Sequence, residues 1–312
     1  MRAGLVILAV TVALMLGLME LTTRWVFADI GSTADNTSYF AERWRAAEGG
    51  GVNALGMRER EIEPKAEGVT RIAFVGDSVT YGQGVRRDER YTERLAAALG
   101  PGFEVLNFGV PGANYEQHET TIERAITEAN PDVLIVQWLF NDVQPIGERR
   151  PRSWRLAGPL HYFVQPYSAL YFMANRAFGQ LQADLGLAPD DRAYFARFAD
   201  PDGAPAIGAR RRLEDMLDRM AETGLPQGLI LWPTPNYDSL IDQVLDVCAA
   251  RALPCLDLRP AMAEVPADQS LAVSIYDAHP SAIAHQYAAV AIRPWLLDLI
   301  GAAPRAGPTT SD

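Results

Sequence analysis

The hydrophobic pattern of the chain alternates between short apolar runs and longer amphipathic stretches. Five runs rich in β-branched and large apolar residues predict buried strands at 71–75, 103–108, 132–138, 228–232 and 254–258. Between and after them, helical spacing predicts helices at 91–99, 115–129, 210–223, 239–252 and 281–300. Strands that alternate with helices favour a parallel sheet covered on both faces. The predicted fold class is α/β, a three-layer doubly wound sandwich with a five-stranded parallel sheet.

The N-terminus carries a different pattern, an uncharged and mostly apolar run from Ala3 to Met19 that ends at Glu20. Its length is at the lower limit for a membrane span and also suits the core of a signal peptide. The residues that follow lack an Ala-x-Ala cleavage pattern, and the run has no polar face as a core helix would. We therefore predict an uncleaved signal-anchor at 3–22, with Trp25 and Phe27 near the far interface. The terminal amine and Arg2 favour a cytoplasmic N-terminus and an extracytoplasmic, periplasmic remainder.

The rest of the chain divides by composition. Residues 28–68, with three consecutive glycines at 49–51, predict a connector, and 69–301 predict one domain. The strand–helix alternation is interrupted by an insert at about 145–205, rich in proline, arginine and aromatic residues, with helical segments within 160–187. The tail 302–312 is rich in proline, threonine and serine and predicts disorder.

Charge and cysteine content narrow the functional classes. The net charge of -11 argues against nucleic-acid binding, which needs a basic surface. The two cysteines and four histidines show no metal-ligand spacing, so neither a metal site nor a cofactor is predicted. Cys248 and Cys255 could pair in an oxidising compartment, but we interpret them as small buried hydrophobic residues.

Polar residues follow the predicted strands at what is expected to be one edge of the sheet. Ser78 comes directly after the first strand between Gly76 and Gly82, where a tight turn would expose a nucleophilic hydroxyl. Gly112 and Asn141 follow the second and third strands and can donate hydrogen bonds to an oxyanion. Each also has a structural interpretation, as a helix cap for the serine and as turn residues for the other two.

A base is expected near the C-terminus. His279 follows the last strand in a loop just before the closing helix, and Asp277 precedes it by two residues and can orient its imidazole. A surface histidine beside a helix-entry aspartate is the alternative. His118, His161 and His285 are interpreted as structural.

The segments 76–82 (GDSVTYG), 107–112 (NFGVPG), 141–142 (ND) and 277–280 (DAHP) resemble the four ordered blocks of the SGNH, or GDSL, hydrolases. This resemblance implies a flavodoxin-like fold with Ser78 as nucleophile and His279 as base. It implies an oxyanion hole formed by the backbone of Ser78, Gly112 and the side chain of Asn141. Two departures from the family pattern concern Leu139, where the third block usually has glycine, and Asp277, which lies one residue closer to the histidine than usual.

Three functions follow as hypotheses. The first is a serine esterase that acts through an acyl-enzyme on an acyl or acetyl ester of a lipid or glycan. The second passes the acyl group to a sugar hydroxyl of an extracytoplasmic polysaccharide, and the third is a non-catalytic, membrane-tethered binding module. The insert either shapes the substrate cleft, with aromatics that contact an acyl chain or the membrane, or packs onto the core. The segment 53–58 (NALGMR) resembles membrane-anchored bacterial members, with no role evident from sequence.

Overall fold

A computed structural model describes residues 2–27, 38–47, 51–148, 160–187, 191–274 and 277–302. The chain forms two compact units. The larger comprises Gly51–Arg149, Arg192–Leu271 and His279–Asp312, and the smaller comprises Met1–Gly50, Arg150–Asp191 and Ala272–Ala278.

The larger unit is built on a parallel sheet of five strands. The strands are β1 (Thr70–Gly76), β2 (Phe103–Gly109), β3 (Val133–Trp138), β4 (Gln227–Leu231) and β5 (Cys255–Asp257). Their order across the sheet is β2-β1-β3-β4-β5. The predicted fold class is confirmed, and each predicted strand lies within one or two residues of its observed bounds. The chain reverses its direction of travel across the sheet between β1 and β3, the position where doubly wound folds bind ligands.

Helices cover both faces of this sheet because the central strands are apolar on both sides. The helices of this unit are α3 (Ser78–Tyr81), α4 (Tyr91–Leu99), α5 (Tyr115–Ala129), α8 (Asp191–Ala196), α9 (Ala204–Glu222), α10 (Asp238–Ala250), α11 (Arg259–Ala263) and α12 (Ala282–Ala302), with 3-10 turns at Arg87–Glu89 and Phe140–Val143. Ala73 and Val75 of β1 pack in one core cluster with α5, α9 and α10, whereas Ile72 and Phe74 pack in the other with α4, α11 and α12.

The interpretation of the cysteines as unpaired hydrophobic residues was wrong. Cys248 and Cys255 form a disulfide that joins the last turn of α10 to the first residue of β5. The disulfide forms because the connection between α10 and β5 is short. It returns the chain to the sheet within a few residues and brings the two sulfurs together. A disulfide of this kind is typical of proteins in oxidising compartments.

The smaller unit contains helices α1 (Arg2–Val26), α2 (Tyr39–Ala47), α6 (His161–Val164) and α7 (Ala169–Asp184), and the short strand β6 (Ala272–Ser274). None of the residues of α1 is buried, and it is the one helix in the described part of the chain that is long and apolar enough to cross a membrane. Helix α2 lies within the predicted connector. Three parts of the predicted organisation lie outside the described residues. They are Gly49 and Gly50, the tail from residue 303, and most of the insert before Leu160.

Candidate active site

Ser78 is the first residue of α3, in the turn that leaves β1. The carboxylate of Asp77 caps this helix by accepting a hydrogen bond from Val79 N at 2.9 Å. Gly82 ends the helix in the left-handed conformation with φ of 74°, which a residue with a side chain would adopt at a cost. The Ser78 side chain is thereby fixed at the carboxyl end of the sheet, as the sequence predicted for a strand-to-helix turn.

Close backbone contacts hold this turn against the neighbouring strand. Val110 N donates to Gly76 O at 2.9 Å, so the loop after β2 begins beside the end of β1. At Gly109 a Cβ atom would lie 2.1 Å from the Tyr81 backbone nitrogen, and at Gly76 it would lie 2.1 Å from the Thr80 hydroxyl. Only glycine permits the two strand ends to approach the α3 turn this closely.

His279 lies within hydrogen-bond reach of the serine. Its Nε2 atom is 3.0 Å from Ser78 Oγ, although the two residues are 201 positions apart in the chain. This geometry is that of a nucleophile and its general base. The prediction that His279 lies in a loop was wrong, because it belongs to the short strand β7 (Asp277–Pro280), which pairs with β6.

The two predicted oxyanion donors follow β2 and β3. Gly112 lies in an exposed turn with φ of 76°, and no atom lies within 4 Å of where its Cβ would be. Asn141 is partly buried in the 3-10 turn after β3, and its side-chain amide lies beside the Asp77 carboxyl. Both residues therefore belong to loops at the same sheet edge as Ser78.

A buried cluster of ionisable groups lies beneath these loops, and sequence reasoning did not find it. His118 of α5 is fully buried with its Nε2 atom 3.3 Å from Asp142 Oδ2. Asp142 Oδ2 also accepts from Leu139 N at 3.1 Å, and this bond ties the 3-10 turn that carries Asn141 to the end of β3. The pair His118–Asp142 thus supports the loop of the predicted oxyanion donor.

Burial dominates the electrostatics of this cluster. It raises the pKa of Asp77, against the opposing effects of the Val79 N–H, His118 and His279. It also raises the pKa of Asp142 to about 6, against the attraction of His118. Burial by itself would lower the pKa of His118, but the adjacent carboxyl of Asp142 and the charge of Asp77 raise it instead.

The segment 53–58 acquires a role from the structure. Asn53 Oδ1 accepts from the backbone nitrogens of Leu55 and Met57, both at 3.0 Å, and shapes a tight turn. Arg58 then extends its buried guanidinium under the loop that follows α3. There it donates to three backbone carbonyl oxygens, those of Gly82 at 2.7 Å, Val85 at 2.9 Å and Tyr81 at 3.2 Å. The segment therefore braces the turn that carries Ser78.

Asp277, the predicted orienting acid, is buried at the start of β7, two residues before His279. Its short spacing to the histidine places both residues on the same four-residue strand, with Ala278 exposed between them. Its role as the orienting acid stays a prediction.

A comparison with protein-family models matched residues 74–287 to the GDSL-like lipase/acylhydrolase family. The chain belongs to this family. The match covers more than two thirds of the sequence and contains Ser78, Gly112, Asn141 and His279. As a GDSL-like acylhydrolase, the protein is an ester-hydrolysing enzyme.

Solved structures with a similar arrangement include other family members. A lipolytic protein of the G-D-S-L family from Veillonella parvula DSM 2008 is 13% identical, with 75% of this chain and 100% of that chain covered and a TM-score of 0.44. A carbohydrate acetylesterase family member from Sinorhizobium meliloti is 14% identical, with 75% and 100% covered and a TM-score of 0.43. The acetyl xylan esterase AlAXEase is 15% identical, with 71% and 97% covered and a TM-score of 0.44. A comparison with curated proteins found no match.

Proposed function

We propose that this GDSL-like acylhydrolase cleaves an acyl or acetyl ester of a lipid or glycan through an acyl-enzyme on Ser78. The observation that carries the proposal is the 3.0 Å distance between Ser78 Oγ and His279 Nε2. A serine hydroxyl becomes an effective nucleophile when a base at this distance accepts its proton.

In the first half of the reaction, Ser78 Oγ attacks the ester carbonyl while His279 Nε2 takes the hydroxyl proton. The oxygen of the tetrahedral intermediate accepts hydrogen bonds from the Ser78 and Gly112 backbone N–H groups and the Asn141 amide. His279 then gives its proton to the departing alcohol, which leaves the acyl group on Ser78. Asp277 orients the imidazole and stabilises its charged form.

In the second half, His279 takes a proton from water as the water oxygen attacks the acyl-enzyme. Collapse of the second tetrahedral intermediate releases the acid and returns the proton to Ser78. A sugar hydroxyl in place of water would give acyl transfer by the same steps. Product analysis with and without a glycan acceptor separates these two outcomes.

Labelling with a fluorophosphonate probe tests the nucleophile. We expect the wild-type enzyme and a Ser239→Ala control, which alters an exposed serine at the start of α10, to label equally. Ser78→Ala should not label, and His279→Ala should label far more slowly. Equal labelling of Ser78→Ala would refute the assignment, and an unlabelled wild-type enzyme would favour a non-catalytic module.

A pair of aspartate variants tests the orienting acid. Asp277→Asn should lower kcat by roughly 10²- to 10⁴-fold with little change in KM, because the imidazole loses its orienting carboxylate. Asp268→Asn, which alters an exposed aspartate, should leave kcat unchanged. Wild-type turnover by Asp277→Asn would remove this residue from the mechanism.

We further propose that the larger unit acts outside the cytoplasm. The Cys248–Cys255 disulfide supports this location because reducing cytosolic conditions disfavour such bonds. The apolar helix α1 supports delivery to a membrane. Alkylation of thiols before and after reduction of protein taken directly from cells tests the location, since a cytosolic protein would show two free thiols.

A further inference from the structure

A carboxylate near the end of the apolar helix α1 forms specific bonds to the insert. Glu20 accepts hydrogen bonds from Ser168 Oγ at 2.7 Å, from Ala169 N at 3.0 Å and from Leu170 N at 2.9 Å. These groups belong to the N-terminus of α7, where free N–H groups and the helix dipole favour a negative charge. Helix α1 therefore provides the cap of an insert helix, within the same compact unit.

A second set of contacts continues this junction. Arg24, one turn after Glu20, donates to the backbone carbonyl of Tyr167 at 2.6 Å and lies over the ring of Tyr39 at 4.5 Å. Phe40 of α2 packs edge-on against Phe172 of α7, with ring centroids 5.2 Å apart. Three helices thus share a small core at the C-terminal end of α1. A signal sequence destined for removal has no need of such contacts.

The length of α1 fixes the depth of this junction in a bilayer. From Ala3 to Glu20 the helix rises about 26 Å at 1.5 Å per residue, close to the ~30 Å thickness of the hydrocarbon region. With the N-terminus at one surface, Glu20 and Arg24 lie at the opposite boundary. The Ser168 hydroxyl and the Tyr167 carbonyl, which these two residues contact, lie there as well.

The chain just before α7 exposes large apolar side chains at this level. Phe163 and Tyr167 are each 74% exposed, and Tyr162 is 63% exposed. The buried His161, which shares a hydrogen bond of 2.9 Å with the Tyr171 hydroxyl, fixes this short helix to α7. Trp25, at the end of α1, is 80% exposed. Aromatic residues of this type concentrate at membrane–water interfaces, where the ring is shielded and polar atoms remain hydrated.

We propose that α1 is retained as a membrane span and that residues 160–170 form a membrane-surface element whose aromatic side chains insert into the lipid headgroup region. The surface that this element contacts is the bilayer that α1 crosses, because the bonds from Glu20 and Arg24 hold the element at the end of that span. The proposal does not depend on the chemistry at Ser78.

Nitroxide labels on the full-length protein in phosphatidylcholine vesicles test this position. Labels at Phe163→Cys and Tyr167→Cys should be more accessible to oxygen than to a water-soluble nickel complex, as should a label at Leu8→Cys within the span. A label at Glu128→Cys, an exposed site on α5, should show the opposite preference. Mass spectrometry of the same samples should find α1 intact.

Three results would overturn the proposal. They are water-like accessibility at both aromatic positions, labels shielded from both reagents by a protein partner or a second copy, and removal of α1 from the mature chain.

Amide exchange adds an independent readout, since Glu20→Gln should speed exchange at Ala169 and Leu170 about tenfold through the weakened cap. The control Glu42→Gln, at an exposed position of α2, should leave these amides unchanged, and equal exchange in both variants would exclude the capping role of Glu20.

Discussion

The contact between Gly109 and the α3 turn offers a direct test of how Ser78 is positioned. A Cβ atom at residue 109 would meet the Tyr81 nitrogen at 2.1 Å, the Tyr81 Cα at 2.6 Å and the Thr80 carbonyl carbon at 2.7 Å. These are backbone atoms, so no side-chain rotation relieves the overlap. The closest contact is about 1.3 Å short of ordinary van der Waals separation, and the turn that begins with Ser78 must move by a similar amount.

Gly109→Ala should therefore reduce kcat/KM about 100-fold if the proposed mechanism holds, because a displacement near 1 Å breaks the alignment of Ser78 and His279. It should also lower the free energy of unfolding by about 1–3 kcal/mol through overpacking. Hydrolysis of p-nitrophenyl acetate measures the first effect, and urea denaturation measures the second.

Gly102→Ala is the matched control. Gly102 lies directly before the same strand, and a Cβ there would have no atom within 4 Å. This variant should keep wild-type kcat/KM and a stability within about 0.5 kcal/mol of wild type. If Gly109→Ala turns over like Gly102→Ala, the close approach of β2 does not position Ser78 and the reasoning fails.

Three further predictions concern the surroundings of the site. Replacing both cysteines by serine should lower the free energy of unfolding by about 2 kcal/mol, given the short loop they close; an unchanged denaturation midpoint would contradict this. In NMR titrations the pKa of His118 should lie above its ordinary value of 6.5 in wild type and should fall in Asp142→Asn, where only the charge of Asp77 still opposes burial; the same titration in both would exclude the pairing. Because its folded pKa is raised, the stabilisation from this histidine is present below pH 6.5 and is lost as the pH rises through that pKa. Arg58→Met should destabilise by about 3 kcal/mol through three carbonyls left without their donor, whereas Arg60→Met, which removes a half-exposed ion pair, should cost under about 1 kcal/mol; equal denaturation midpoints would refute the bracing role.

The sheet was predictable because buried parallel strands have continuous apolar sequences that stand out from their flanks. The start of α9 was not, since the helix begins at Ala204 and the prediction begins at residue 210. Pro205 and Gly208 make that stretch resemble a loop, yet proline is compatible with the first turn of a helix, where its missing N–H has no partner to lose. The boundary depended on which residues α9 buries against α5.

The candidate site was predictable only where residues occur in ordered, recognisable segments. Ser78 and His279 were found that way, and the structure brings them within 3.0 Å. His118 was not, because its partner Asp142 lies 24 positions later and the contact arises when α5 packs under the loop after β3. The role of Arg58 was missed because its acceptors are backbone carbonyls, which no side-chain pattern reveals.

The cap that Glu20 places on α7 also constrains how α1 can be exchanged. A replacement helix of equal hydrophobicity that lacks a carboxylate at position 20 would leave the first N–H groups of α7 to the cap provided by Ser168, which accepts from Tyr171 N. Truncation after residue 27 has the same effect. Helix α1 is thus part of the folded structure of the smaller unit, and its sequence is expected to change together with that of the insert.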